Sequence, residues 1–215
     1  MREDRIKMVI GAYDDFVVRA YCRGRFQILR QRFLDEIGQY LPDEGTVIDV
    51  GCGIGLFSLY YALGAPKLTI RGIDLNPNRV AMATAASKRL GIENVSYSKA
   101  SAVGFAPEGT VQGAYILDVL HHIPEDAVEP LVSALFSSLV PGGRLLIKDV
   151  DTQPAYKRVF THLLDIMMDP RAPVRYWGSD ELPELLSRVG FKVYRHCMVD
   201  YLPYPHILYV CQKPN

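Results

Sequence analysis

A glycine-rich segment with acidic neighbours is the part of this sequence whose residue types could do chemistry. Residues 49–55 read Asp-Val-Gly-Cys-Gly-Ile-Gly and follow a short β-branched run. Glycine lacks a Cβ, so backbone in such a loop can approach a ligand closely. Asp74 follows the next apolar run, where its carboxylate can accept hydrogen bonds from the two hydroxyls of a ribose. The pattern predicts a nucleotide-type ligand beyond the ends of two parallel strands.

The spacing of the glycines distinguishes between two classes of ligand that such a loop could bind. A dinucleotide fingerprint requires G-x-G-x-x-G or G-x-G-x-x-A. Counted from Gly51, the sixth position is Leu56, and the third glycine comes early, at Gly55. The carboxylate of Asp49 would repel a pyrophosphate but not a cationic sulfonium amino acid. The spacing therefore favours a sulfonium cofactor, and a nicotinamide-dependent oxidoreductase stays open as the less favoured alternative.

His121 and His122 are the titratable residues that could move a proton. A neutral imidazole can take a proton from a hydroxyl or an acidic carbon. The alternative is that both histidines only shape their loop through hydrogen bonds. Cys52 is expected to be a small packing residue, because no base is visibly paired with it. No C-x-x-C pair occurs among the four cysteines, so we expect no metal site.

Alternating strands and helices must position these residues. The predicted strands span 46–50, 67–73, 95–98, 115–120 and 144–150. Helices are predicted over about 13–40, 56–63, 77–90, 125–140 and 179–189, and two closing strands over 191–198 and 206–211. This alternation predicts an α/β fold built on a parallel sheet with right-handed crossovers.

Five segments in order carry a family resemblance. They are Val47–Gly55, Gly72–Pro77, Leu120–Pro124, Leu139–Leu145 and Leu186–Phe191. The sequence resembles class I S-adenosylmethionine-dependent methyltransferases, and more closely the small-molecule group typified by quinone-biosynthesis enzymes. The resemblance implies a Rossmann-like, seven-stranded, mostly parallel sheet with helices on both faces and an antiparallel last strand, plus an N-terminal helical segment.

The resemblance also implies roles for individual residues. The implied cofactor-binding residues are Asp49, Gly51, Cys52, Gly53, Gly55, Asp74, Leu75, Ser101, Ala102 and Asp118. In this scheme the glycine loop passes beneath the methionine part of S-adenosylmethionine, Asp74 binds the ribose, and Leu75 packs on adenine. Ser101 departs from the family, which usually has an aspartate there, and Gly113-Ala114 departs from the usual Phe-Asp. His121 and His122 are the candidate catalytic residues.

Composition and charge bear on the partner. Lys+Arg and Asp+Glu both total 24, so the chain lacks the basic surplus that nucleic-acid binding usually requires. Residue 118 onward reads Asp-Val-Leu-His rather than the Asn/Asp-Pro-Pro-Tyr/Phe of base N-methyltransferases. We therefore expect O- or C-methylation of a small apolar molecule, with no nucleic-acid partner. The alternative is a non-catalytic protein that binds the cofactor.

Two expectations concern organisation and location. Residues 1–41 are expected to form an N-terminal helical cap segment, and residues 42–215 the methyltransferase domain, with a lid-like aromatic insert at about 152–178. Four cysteines in a chain of this length do not indicate a disulfide framework, which favours a reducing, cytoplasmic location. The sequence also shows no secretory signal and no apolar run of membrane-spanning length. The oligomeric state is left open.

Overall fold

The structure is a computed structural model that describes residues 2–28, 31–150, 175, 177–178, 180–198 and 206–215. The chain divides into two compact units, residues 1–101 and 102–215. Among the helices of the described part, none combines the length and the apolar character needed to cross a membrane.

The first unit is a three-stranded parallel sheet with five helices. Its strands are β1 (Gly45–Val50), β2 (Leu68–Asp74) and β3 (Val95–Lys99), in the order β3-β2-β1. Its helices are α1 (Arg2–Gly11), α2 (Phe16–Ile28), α3 (Gln31–Gly38), α4 (Leu56–Gly64) and α5 (Pro77–Leu90). β1 pairs with β2 so that Asp49 lies opposite Gly72 and Val50 opposite Ile73. This register brings the loop after β1 and the residues after β2 to one edge of the sheet.

Helix α5 shows why these local sequences fold as they do. Asn76 is its N-cap, and its side chain accepts hydrogen bonds from the backbone N–H groups of Asn78 and Arg79. Pro77 occupies the first helical position, where no intrahelical donor is needed. Gly91 ends the helix with a φ of 65°, the left-handed conformation that favours glycine. The start of α5 is therefore fixed directly behind Asp74.

The second unit is a four-stranded mixed sheet. Its strands are β4 (Val111–Leu117), β5 (Leu139–Val150), β6 (Lys192–Cys197) and β7 (His206–Gln212), in the order β4-β5-β7-β6. β4 and β5 are parallel, whereas β7 is antiparallel to both β5 and β6. A 3-10 turn over Leu120–His122 follows β4, and α6 (Glu125–Ser138) and α7 (Glu181–Val189) complete the described elements.

The seven strands, the parallel pairing and the antiparallel last strand confirm the predicted fold class. Three details were wrong. The single helix expected over about 13–40 is two helices, α2 and α3, and α1 before them was not predicted. β4 spans Val111–Leu117 rather than 115–120, and it ends there because the chain turns at Asp118, whose φ is +57°. Residues 139–143 belong to β5 rather than to the end of α6 and the turn after it. In this part β5 pairs with β4 through a register shift between Val111 and Gly113 of β4.

Two expectations about organisation remain predictions. The boundary of an N-terminal cap at residue 41 is one of them. The other is the lid-like insert at about 152–178, almost all of which lies outside the described residues.

Candidate functional site

The segment Gly51–Gly55, called the cofactor loop below, leaves β1 through left-handed backbone. Gly51, Gly53 and Gly55 have φ values of 77°, 55° and 86°, which side-chain-bearing residues rarely adopt. The backbone N–H groups of Gly51 and Cys52 both donate to the carbonyl of Ile73, at 2.8 and 2.9 Å. The loop is therefore tied to the end of β2 by the backbone itself.

Asp74 holds the same loop with its side chain. One carboxylate oxygen accepts from the backbone N–H of Gly53 at 2.9 Å, and the other accepts from that of Asn76 at 2.8 Å. The residue is 8% exposed. An ionised carboxylate offers about four acceptor positions, so these two bonds leave capacity for ligand hydroxyls. Asp74 thus both orders the loop and keeps the acceptor function that the sequence predicts for it.

The glycines of the loop face different surroundings. A Cβ built on Gly55 would lie 2.6 Å from the hydroxyl of Tyr97 and 2.9 Å from Cβ of Ala83. A Cβ built on Gly53 meets no atom within 4 Å. Gly55 is therefore required for packing inside the protein, whereas Gly53 presents bare backbone to open space. The loop therefore presents open backbone at Gly53 beside the carboxylate of Asp74.

The other predicted cofactor residues of the first unit differ in exposure. Asp49 is buried in β1, and Leu75 is 68% exposed directly after β2, so it offers an apolar surface of the kind that packs on a purine. Ser101 is half-buried just beyond β3, and Ala102, the first residue of the second unit, is also half-buried.

The side chain of Cys52, which is part of the cofactor loop, is buried. Burial raises the pKa of its thiol, and the negative charges of Asp49 and Asp74 raise it further. A protonated thiol is a poor nucleophile. The structure thus supports the expectation that Cys52 packs rather than reacts.

In the second unit, Asp118 is held by an unexpected partner. Lys148 on β5 forms an ion pair with the Asp118 carboxylate, and the lysine side chain is fully buried. The backbone N–H of Asp118 also donates to the carbonyl of Lys148 at 2.9 Å. Asp118 is the one described non-glycine residue with a positive φ, and backbone strain of this kind clusters at functional sites.

His121 is held by the next residue of β5. Its Nδ1 lies 2.5 Å from the carboxylate of Asp149, and its backbone N–H donates to the other oxygen at 3.1 Å. Opposite an ionised carboxylate, which can only accept, Nδ1 would donate, and a neutral imidazole in that tautomer carries its lone pair on Nε2. The half-buried His122 lies against this ring, with centroids 4.1 Å apart. The contact with Asp149 fixes the orientation of the His121 ring.

Sequence reasoning missed Lys148 and Asp149. Their signal was available, because two charged residues interrupt the otherwise apolar end of β5, Leu145-Leu146-Ile147-Lys148-Asp149-Val150. The sequence suggests that Tyr13 could close one side of the site, but it does not predict that the Tyr13 hydroxyl donates to the carbonyl of Ile54 at 2.9 Å.

The comparisons with known proteins identify the family. A family profile described as a methyltransferase domain matches residues 20–196. Demethylspheroidene O-methyltransferase of Rhodobacter capsulatus is 33% identical over 155 residues, which cover 70% of this chain and 37% of that protein. The 2-methyl-6-phytyl-1,4-hydroquinone methyltransferase of Synechocystis sp. is 26% identical over 148 residues, or 69% and 41% of the two chains.

RNA methyltransferases also match. A 23S rRNA (uracil(747)-C(5))-methyltransferase of Cronobacter sakazakii is 28% identical over 126 residues, which cover 55% of this chain and 32% of that protein. The chain therefore spans only 32% to 41% of the length of these three curated relatives.

A solved structure has a similar fold. Magnesium protoporphyrin IX methyltransferase from Synechocystis PCC 6803 with bound SAH gives a TM-score of 0.68 at 20% identity, over 98% of this chain and 93% of that one. The family match runs from within α2 to within β6 and includes every element that carries the candidate site. The chain belongs to the family of S-adenosylmethionine-dependent methyltransferase domains, as its glycine loop and ordered companion motifs predict.

Proposed function

We propose that this protein transfers the methyl group of S-adenosylmethionine to oxygen or carbon of a small apolar molecule. The proposal rests on the geometry of the cofactor loop. Gly53 faces open space, and its backbone N–H donates a hydrogen bond to the carboxylate of Asp74. Such a loop excludes side chains from the place where a cofactor must lie, and it keeps a carboxylate beside it.

The bound cofactor supplies an activated methyl group on a sulfonium. The proposed task of the first unit is to bind and orient that group. Asp74 accepts hydrogen bonds from the ribose hydroxyls, Leu75 covers one face of adenine, and Ser101 and Ala102 border its amino group. Asp49 and Cys52 support the loop from the buried side, because both are almost fully covered.

The proposed task of the second unit is proton transfer and orientation. Nε2 of His121 is the site that accepts the acceptor's proton, and Asp149 fixes that tautomer and favours the imidazolium that results. Asp118, held by Lys148 in its strained conformation, has the proposed role of orienting the methionine moiety. His122 has the proposed role of shaping the acceptor's surroundings.

A small apolar acceptor is supported by two observations. The formal net charge is zero, which gives no broad attraction to a phosphate backbone. Two of the relatives are named for methylation of non-nucleic-acid compounds, demethylspheroidene and 2-methyl-6-phytyl-1,4-hydroquinone. The RNA methyltransferases among the relatives make RNA the acceptor class against which the proposal must be tested.

The first test is cofactor binding by isothermal titration calorimetry with S-adenosylhomocysteine. We expect binding to the wild type and at least about a tenfold weaker affinity for Asp74→Ala, which removes a charge-assisted hydrogen bond to the ligand. An absence of binding to the wild type, or an unchanged affinity in Asp74→Ala, contradicts the proposal. Binding of NADH instead would establish the nicotinamide alternative.

The second test is transfer of a tritiated methyl group to separated fractions of a cell extract. We expect label in the organic-soluble fraction, and loss of that label in His121→Gln and Asp149→Asn proteins that still bind S-adenosylhomocysteine. Label found only in RNA or protein contradicts the small-molecule acceptor. Cofactor binding without transfer to any fraction would identify a non-catalytic binding protein.

A further inference from the structure

The turn between the first two helices contacts the cofactor loop directly. This α1–α2 turn comprises Ala12–Asp15, and the hydroxyl of Tyr13 donates to the carbonyl of Ile54 at 2.9 Å. Tyr13 is 3% exposed, so water does not replace the bond easily. Burial raises the pKa of Tyr13, so the hydroxyl remains a hydrogen-bond donor throughout the neutral and mildly alkaline range.

Ile54 lies between Gly53, which faces open space, and Gly55, which is packed against other side chains. On one side, the N–H of Gly53 is held by Asp74. On the other, Gly55 packs against Tyr97, whose hydroxyl bonds that of Ser58 at 2.9 Å. The Gly55 N–H donates to the carbonyl of Cys52 at 2.9 Å, and the Ile54 carbonyl of the same peptide unit accepts from Tyr13. Because a peptide unit is planar, holding this carbonyl also fixes the plane of the peptide that joins Ile54 to Gly55.

The α1–α2 turn is itself anchored. Arg89, in the last turn of α5, donates to the carbonyl of Ala12 at 2.7 Å and forms an ion pair with Asp14. Asp15 caps α2 by accepting from the backbone N–H groups of Val17 and Val18. Tyr13 therefore projects from a turn that two neighbouring elements hold in place.

We propose that Tyr13 is a positioning residue that couples the N-terminal helices to the cofactor loop, so that cofactor binding and ordering of the α1–α2 turn support each other. This inference rests on the proposed function and adds to it a regulatory link within the same site. Thermodynamic linkage makes the coupling reciprocal. Whatever loosens the N-terminal helices weakens cofactor binding, and bound cofactor stabilises these helices.

The test compares two tyrosines that each lose one buried hydrogen bond. Tyr61 is the matched control, because its hydroxyl donates to the carbonyl of Leu34 at 3.1 Å, in a buried contact outside the cofactor loop. We expect Tyr13→Phe and Tyr61→Phe to lower the melting temperature to a similar extent. In calorimetry, Tyr13→Phe should weaken S-adenosylhomocysteine binding about five- to tenfold, because this is the effect of losing one hydrogen bond that contributes to binding. Tyr61→Phe should weaken binding by less than about twofold.

A second variant and a second measurement keep the inference falsifiable if Tyr13→Phe folds poorly. Arg89→Gln loosens the α1–α2 turn without touching the cofactor loop, and it should weaken binding in the same direction. Hydrogen exchange of residues 3–28 should slow when S-adenosylhomocysteine binds to the wild type, and this slowing should shrink in Tyr13→Phe.

The outcomes separate the two proposals. A wild type that does not bind S-adenosylhomocysteine overturns the proposed function. A wild type that binds, with affinity unchanged in both Tyr13→Phe and Arg89→Gln or with no slowing of exchange in residues 3–28, overturns the coupling alone.

Discussion

Left-handed backbone costs about 1–2 kcal/mol for a residue with a side chain, and the proposed cofactor site uses it repeatedly. The left-handed conformation is adopted by every second residue of the cofactor loop, namely Gly51, Gly53 and Gly55. Asp118 also adopts it, although it carries a side chain. In the loop the glycines relieve the strain. At Asp118 no glycine does so, and the contacts with Lys148 hold the conformation instead. Strain kept at a residue with a carboxylate indicates that its orientation matters.

Gly53 gives the most direct test of the cofactor cradle. Gly53→Ala should weaken S-adenosylhomocysteine binding at least about tenfold, because the added methyl group projects into the ligand's space and distorts the loop. Gly91→Ala is the matched control, since Gly91 has a similar positive φ and equally open surroundings at the end of α5. Both variants should lose about 1 kcal/mol of unfolding free energy. Equal affinities in the two variants would show that Gly53 does not face the cofactor.

The pair of the fully buried Lys148 and the half-buried Asp118 should be strongly coupled. Lys148→Met leaves the Asp118 carboxylate without its cation and should lower the free energy of unfolding by about 3 kcal/mol. In a double-mutant cycle with Asp118→Asn, measured by urea unfolding, the interaction energy should exceed about 1 kcal/mol. The exposed pair of Arg188 and Glu129 is the comparison, for which a cycle should give less than about 1 kcal/mol. Similar values for both cycles would contradict a special role for the pair of Lys148 and Asp118.

At the scale of elements, the sequence predicts what local rules determine. The capped helix α5 was predicted with both ends correct, because Asn76, Pro77 and Gly91 are strong local signals. The sequence between α2 and α3 contains no proline or glycine, so periodicity alone predicted one helix over about 13–40. Likewise, the end of β4 depends on a side chain 30 positions away, Lys148. Contacts of this kind are tertiary and leave no mark on the local sequence.

Asn76 links the stability of α5 to the ribose-binding carboxylate. Its side chain caps the helix, while its backbone N–H donates to Asp74. Asn76→Ala should therefore lower the free energy of unfolding by about 1 kcal/mol through the lost cap, yet leave S-adenosylhomocysteine affinity within about threefold, because the backbone donor remains. Asn78→Ala, in the same first turn, should change stability by less than about 0.5 kcal/mol. Urea unfolding and calorimetry on the two proteins measure both quantities, and a large loss of affinity in Asn76→Ala would mean that the cap itself shapes the site.

At the scale of the whole molecule, both compact units bury groups that ionise at high pH. Burial raises the pKa of Cys22 to about 11, and it also raises the pKa values of Cys211 and of Tyr13, Tyr61 and Tyr97. The first unit contains Cys22 and the three tyrosines, and the second contains Cys211. None of these groups needs to ionise for the proposed chemistry. Their shared consequence is a dependence of folding stability on alkaline pH.

The sign of that dependence follows from proton binding. A thiol titrates near pH 9 when unfolded, so between about pH 9 and 11 the unfolded chain loses protons that the folded chain retains. The stabilisation is fully present below about pH 9 and is lost as the pH rises toward the folded values. We expect the urea midpoint to be flat from pH 7.5 to 8.5 and to fall steeply by pH 10.5. Cys22→Ala removes one of the titrating groups. In that variant the free energy of unfolding should fall less steeply with pH, by up to about 1.4 kcal/mol per pH unit. An identical decline in that variant would mean that the Cys22 thiol is not protected by folding, and a midpoint that stays constant to pH 10.5 in the wild type would contradict the burial of the whole set.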